Sequence, residues 1–156
     1  YKDSYGMFIS VGFLSNHESP LRGKHFVTSK ILDGIRRIRN NEIKSLKFGN
    51  LDVYRDWGWA PCYVDAIYKM TVAESPDNYV IATGLSYSLR DVINKAFLFS
   101  GLGEASNYIE QNKYELRPNE IKYSYLDPSK AKKKLNWDNS ISIDIMIKKL
   151  INEELY

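Results

Sequence analysis

The sequence predicts an α/β domain, and three observations carry that reading. Apolar, β-rich runs alternate with stretches whose apolar residues recur at helical spacing. No internal repeat, low-complexity tract or linker interrupts them, so residues 1–156 read as a single region. Hydrophobic residues at 44% and charged residues at 26% match ordinary globular proteins, in a chain of 156 residues long enough to bury a core.

Each element has its own local reason. Residues 6–14 (GMFISVGFL) are almost wholly apolar, as expected of a strand buried on both faces. Residues 15–23 (SNHESPLRG) follow as a loop marked by Pro20 and Gly23. A helix is predicted over about 26–40, because Val27, Ile31, Ile35 and Ile38 form one stripe while Lys30, Arg36, Arg37 and Arg39 fall on other faces. Short strands are expected at 46–49 and around Val53. Pro61 suits the first turn of a helix reaching about Ala73, and 79–82 (YVIA) read as a buried strand. Ser88 and Asp91 have capping spacing for a helix over 89–100, which Gly101 ends. Strand-like pieces at 108–109 and 121–125 lie in the least periodic stretch. Asp127 and Pro128 predict the cap and first turn of a short lysine-rich helix, and Ser142 caps a last one whose face is Ile143, Met146, Ile147, Leu150 and Ile151.

Bulk properties exclude several classes. A net charge of +3 and a pI near 8.8 are too weakly basic to demand nucleic acid, and suit a small anionic ligand. No apolar run approaches the roughly 20 residues of a membrane span. Cys62, the only cysteine, allows no internal disulfide and fits a reducing, cytoplasmic setting. The chain opens on Tyr1 without a secretory pattern, and we expect it to be cut from a longer protein. His17, His25 and Cys62 lack zinc spacing, so no metal site is expected. No glycine-rich turn joins a strand to a helix, since Gly101 and Gly103 follow a helix instead.

The polar residues worth naming are Asn16, His17, Arg22, Lys30, Arg55, Arg117 and Glu120. Guanidinium forks match phosphates in a bidentate way, and a carboxylate accepts from ribose hydroxyls. Val27 and Lys30 share one face of the first helical turn, where unpaired N–H groups favour acceptors. The runs NHESPLRG (16–23), FVTSKI (26–31), GNLDVYRDWGWA (49–60), YVIATG (79–84), LRPNEI (116–121) and DPSKAKKKLNW (127–137) together resemble the GDP-mannose 4,6-dehydratase family, in order and at matching spacing.

That resemblance implies an extended short-chain dehydrogenase, of which this chain is the C-terminal half. It would hold the last Rossmann strands and a small mixed α/β substrate-binding subdomain, with the N-terminal Rossmann half absent. It implies NADP as cofactor, GDP-mannose as substrate, a homo-oligomeric full-length enzyme and a product, GDP-4-keto-6-deoxymannose, that feeds GDP-fucose synthesis. By the same resemblance Asn16 holds the sugar-phosphate region, Val27 and Lys30 meet guanine, Arg55 and Arg117 clamp the diphosphate, and Glu120 holds the ribose. His17 and Arg22 would touch NADP. The family's catalytic threonine, glutamate, tyrosine and lysine have no counterpart here, and none of the 12 tyrosines has a lysine four residues later. Leu21, Trp59 and Cys62 depart from the family, which commonly has arginine, histidine and an acidic residue there. The latter two bring paralogous epimerases, dehydratases and reductases into play.

Plainer readings stand beside these. Lys30 fits the polar face of a helix, Asn16 a turn, and Arg55 a structural pair with Asp56, as Arg117 does with Glu120. Trp57 and Trp59 suit a core, Cys62 a small packing residue, and Lys132, Lys133 and Lys134 a solvated face. A stand-alone GDP-sugar binding module is the rival from another class. Arg36, Arg37 and Arg39 with the lysine run motivate a nucleic-acid reading, which lacks any recognition motif. Without the Rossmann half, residues 6–14 would leave an apolar strand edge open, predicting self-association, aggregation or a companion fragment.

Overall fold

The computed structural model describes residues 1–112 and 119–155. Its elements run α1 (Lys2–Tyr5), β1 (Val11–Leu14), β2 (Asn16–Glu18), α2 (Val27–Arg39), β3 (Leu46–Phe48), β4 (Tyr54–Trp59), α3 (Ala60–Thr71), β5 (Asn78–Ile81), β6 (Ser86–Ser88), α4 (Leu89–Phe99), a 3-10 turn (Ala105–Asn107), β7 (Ile109–Gln111), α5 (Ser129–Leu135) and α6 (Ile143–Ile151). The alternation of strands and helices is the α/β order expected. Three small sheets form, pairing β1 with β5, β3 with β7, and β4 with both β2 and β6. All pairs are parallel except β4 with β6.

Two apolar clusters hold these layers. The larger joins α2, β3, β4, α4 and α6 through Ile31, Ile35, Phe48, Trp57, Trp59, Phe97 and Met146. The smaller packs α3, β5 and α5 around Tyr63, Ile81, Ala131 and Trp137, and Trp137 Nε1 donates to the Cys62 carbonyl at 2.8 Å. Trp57 and Trp59 are thus core residues, 4% and 1% exposed. Gly34 lets α2 approach β3 closely, because a Cβ there would lie 2.3 Å from a Leu46 methyl. The capping box on α4 forms as the spacing predicts: Ser88 Oγ accepts from the Asp91 amide, and the Asp91 carboxylate accepts from the Ser88 amide.

Four expectations are corrected. Of residues 6–14 only Val11–Leu14 pair, and two of these four are exposed, Phe13 at 57% and Val11 at 42%. The strand alternates instead: Gly12 faces Met70 of α3, while Val11 and Phe13 lie on the exposed side. Residues 121–125 form no strand, only a bridge from Tyr54 to Tyr123. α5 begins one residue late, because Pro128 occupies the cap position while the Asp127 carboxylate still accepts from the Ser129 amide at 2.9 Å. Residues 15–23 are not all loop: Asn16–Glu18 form β2, which like β6 is three residues long and too short for a periodic signal.

Candidate functional site

The site is built first at the carboxyl ends of β1 and β5, where open α/β sheets gather ligands. Ser15 follows β1, and Thr83 and Gly84 follow β5. Asp56, on β4 and 2% exposed, bridges them. Its Oδ1 accepts from Ser15 Oγ at 2.8 Å and from the Thr83 amide at 3.0 Å, and its Oδ2 accepts from the Gly84 amide at 2.8 Å. Gly84 takes a φ of +80°, which lets the turn aim both amides at one carboxylate. A carboxylate this deep in a strand otherwise rich in aromatics is stabilised only by such donors. The expected pairing of Arg55 with Asp56 does not form. Successive strand residues face opposite sides, and Arg55 Nη1 donates to the Tyr54 carbonyl at 2.7 Å.

Tyr63, near the start of α3, completes the group: its hydroxyl lies 2.5 Å from Ser15 Oγ. Because Ser15 gives its own proton to Asp56, Tyr63 donates and Ser15 accepts. Burial pushes the Tyr63 hydroxyl well above the usual tyrosine range, which keeps it protonated for that donation. The ring stacks on His17 at 5.3 Å and covers Gly58, which pairs with His17 across β2 and β4. His17 Nδ1 lies 2.9 Å from the Ser15 carbonyl.

Glu18 anchors the loop that follows. Only 1% exposed, it accepts from Thr28 Oγ1 at 2.5 Å and faces Arg22 Nε at 3.1 Å. Arg22 Nη1 donates to the His17 carbonyl at 2.5 Å, and its guanidinium carbon sits 3.9 Å from the Phe26 ring centre. Arg22 is therefore largely engaged in holding the loop, with Nη2 left over. Burial raises the Glu18 carboxyl above its ordinary range, against the Thr28 hydrogen bond and the Arg22 and His17 charges.

The residues predicted to contact a nucleotide are placed as follows. Lys30, in the first turn of α2, donates to the Lys47 carbonyl at 2.6 Å and lies 4.6 Å from the Phe48 ring centre. The Asn112 amide donates to the Phe48 carbonyl at 2.8 Å, fixing Asn112 at the end of β3, next to the Lys47 carbonyl that Lys30 reaches. Lys122 and Ser124 are fixed beside Arg55: the Tyr54 amide donates to the Lys122 carbonyl at 2.7 Å, and the Ser124 amide to the Tyr54 carbonyl at 3.1 Å. Glu120 lies two residues before that anchor, and Arg117 falls outside the described residues. Arg55, Glu120 and Asn16 are half-buried, and neither Glu120 nor Asn16 spends its side chain on a described residue. Val27 is half-buried against the larger core, and no side chain caps α2 at Phe26.

Some features lie apart from this arrangement. A cavity of about 750 Å³ between residues 19–24, α2 and α6 includes Arg22 but none of Asn16, Val27, Lys30, Arg55 or Glu120. Cys62 is half-buried between the two cores, and burial raises its thiol. Among the described residues no three His, Cys, Asp or Glu side chains cluster as a metal site, and no helix is long and apolar enough to cross a membrane. Sequence reasoning did not single out Ser15, Glu18, Asp56 or Tyr63 as site residues. The usable signal was Asp56 within YRDWGW, a lone carboxylate in a strand that had to find buried donors.

This fold is shared with enzymes of nucleotide-sugar chemistry. A structure titled RMD from Pseudomonas aeruginosa complexed with NADPH superposes at a TM-score of 0.86, with 18% identity, over 97% of this chain and 50% of that one. The dTDP-glucose 4,6-dehydratase of Bacillus anthracis with NAD superposes at 0.82, with 15% identity, over 97% and 46%. The sequence is more specific: the GDP-mannose 4,6 dehydratase family model matches residues 1–150, and the chain belongs to that family. GDP-mannose 4,6 dehydratase 1 of Arabidopsis thaliana is 37% identical over 155 residues, covering 99% of this chain and 43% of the relative. The Vibrio cholerae enzyme is 36% identical over 181 residues, covering 99% and 49%. The chain thus spans less than half the length of these curated relatives.

Proposed function

We propose that this chain recognises a GDP-sugar, GDP-mannose foremost, as the C-terminal part of an NADP-dependent GDP-mannose 4,6-dehydratase making GDP-4-keto-6-deoxymannose. The observation that carries the reading is the anchoring of Asn112 at the end of β3, close to Lys30, and of Lys122 and Ser124 beside Arg55. Lys30 with Val27 then serves guanine, the Arg55 guanidinium serves the diphosphate, and the Glu120 carboxylate accepts from ribose. Asn16, whose side-chain amide bonds to no described residue, serves the sugar-phosphate. Arg117 joins Arg55 on the diphosphate by family resemblance.

NADP, when bound, would supply hydride transfer to and from the sugar. The residues here fit a share of that cofactor unequally. Among the described residues His17 has one ring nitrogen without a partner, while Arg22 keeps Nη2 after its contacts to Glu18 and His17. No residue of this chain takes a catalytic role in the proposal. The exposed Val11, Phe13, Met7 and Phe8 support a companion half, since a two-stranded parallel sheet is ordinarily covered on both faces. Assembly into a homo-oligomer belongs to that completed protein.

Equilibrium dialysis with GDP-mannose, run beside a turnover assay with NADP, tests the reading. The chain alone binds GDP-mannose saturably in the micromolar range and forms no 4-keto-6-deoxy product. Product made by the purified chain overturns the assignment of catalysis elsewhere, and absence of binding overturns the recognition role.

A further inference from the structure

We infer that the buried relay Tyr63–Ser15–Asp56 is a positioning device that locks His17 in one tautomer, with its Nδ1 protonated and its Nε2 lone pair presented as a hydrogen-bond acceptor. The direction of each proton follows from its neighbours. Asp56 takes two backbone amides and so acts as acceptor toward Ser15 Oγ, which in turn accepts from Tyr63. With its hydroxyl and amide both committed, the latter to the Ile81 carbonyl at 3.0 Å, the Ser15 peptide is held rigidly. Its carbonyl can only accept, so the His17 Nδ1 at 2.9 Å carries the proton. The stack on Tyr63 fixes the ring plane, and Gly58 leaves room for that stack, since a Cβ there would lie 2.4 Å from the Tyr63 hydroxyl oxygen.

Among the described residues Nε2 has no hydrogen-bond partner. A nitrogen so presented selects a donor on the ligand, a sugar hydroxyl or a carboxamide N–H, and rejects a phosphate oxygen. Resting on the cofactor reading above, this assigns His17 to the ribose or carboxamide portions of a dinucleotide. The electrostatic work on its phosphates then falls to other residues.

Imidazole nitrogen spectra of the ¹⁵N-labelled chain test this directly, because His17 and His25 are the only histidines and H25Q identifies the His17 signals. Above the pH of imidazolium formation, His17 shows a protonated Nδ1 and an unprotonated Nε2, the reverse of the tautomer free histidine favours. Y63F, which keeps the ring but removes the donor to Ser15, and D56N both shift His17 toward a mixture of tautomers. If D56N fails to fold, Y63F alone decides. A protonated Nε2 in the unaltered chain, or an unchanged tautomer in folded Y63F, overturns the inference. Titration with NADP separates the two claims: the expected tautomer with no NADP-induced shift at Nε2 overturns the cofactor reading and leaves the relay standing.

Discussion

Gly58 lies directly beneath the ring of Tyr63, where a Cβ added to Gly58 would come within 2.3 Å of Cε2. The ring is 1% exposed, and its hydroxyl is held by Ser15. It has nowhere to move without breaking that bond. Gly58→Ala therefore destabilises the chain by about 1–3 kcal/mol, the range for overpacking a filled core. Tyr63→Phe costs about 1 kcal/mol, for one lost hydrogen bond. Urea midpoints measure both, and a G58A chain as stable as the unaltered one contradicts the packing described.

Gly34 and Leu46 make a second forced approach: a Cβ added to Gly34 would stand within 2.8 Å of both Leu46 methyls and its Cγ. Gly34→Ala improves helix propensity by about 1 kcal/mol yet overpacks the α2–β3 contact by more, so the net change is destabilising. Shortening the opposing side chain relieves it. Leu46→Ala in the G34A background costs less than in the unaltered chain, and a double-mutant cycle measures that coupling.

The pH dependence of stability carries a signature of Glu18. Burial raises its folded carboxyl above the unfolded value, so between those two values the folded chain binds more protons than the unfolded one. Stability from this group falls as pH rises from the ordinary carboxylate range through the folded value, and stays reduced above it. Glu18→Gln lacks this decline. Its stability relative to the unaltered chain therefore improves from acidic to neutral pH, measured as paired urea midpoints; a relative loss over that interval contradicts the assignment.

The outer side of β1 makes a prediction about solution behaviour. Phe13 is 57% and Val11 42% exposed, and Met7 and Phe8 are exposed too, an apolar band on a strand with one neighbour among the described residues. The chain self-associates in light scattering, and Val11→Lys with Phe13→Lys reduces that association with little change in stability. A strictly monomeric unaltered chain removes the case for a covering partner.

What could be read from sequence divides along physical lines. α2, α3, α4 and α6 were legible because apolar periodicity and caps are local: Ile31, Ile35 and Ile38 stripe one face, and Ser88 with Asp91 closes its box within four residues. Residues 6–14 misled because apolar density reports what a strand is suited to, while its actual cover depends on neighbours elsewhere. The Ser15, Asp56 and Tyr63 relay was illegible because its members stand 41 and 48 residues apart, and no periodic signal spans such distances. Family resemblance brought in Lys30, Arg55 and Glu120, yet could not foresee that Arg22 would be largely taken up by Glu18.

Calorimetric titration with GDP and with UDP, on the unaltered chain and on Arg55→Ala, tests the central claim most directly. GDP is expected to bind more tightly than UDP, and Arg55→Ala to weaken GDP at least tenfold, or about 1.4 kcal/mol. Equal affinity for the two nucleotides, or GDP binding indifferent to Arg55, contradicts it.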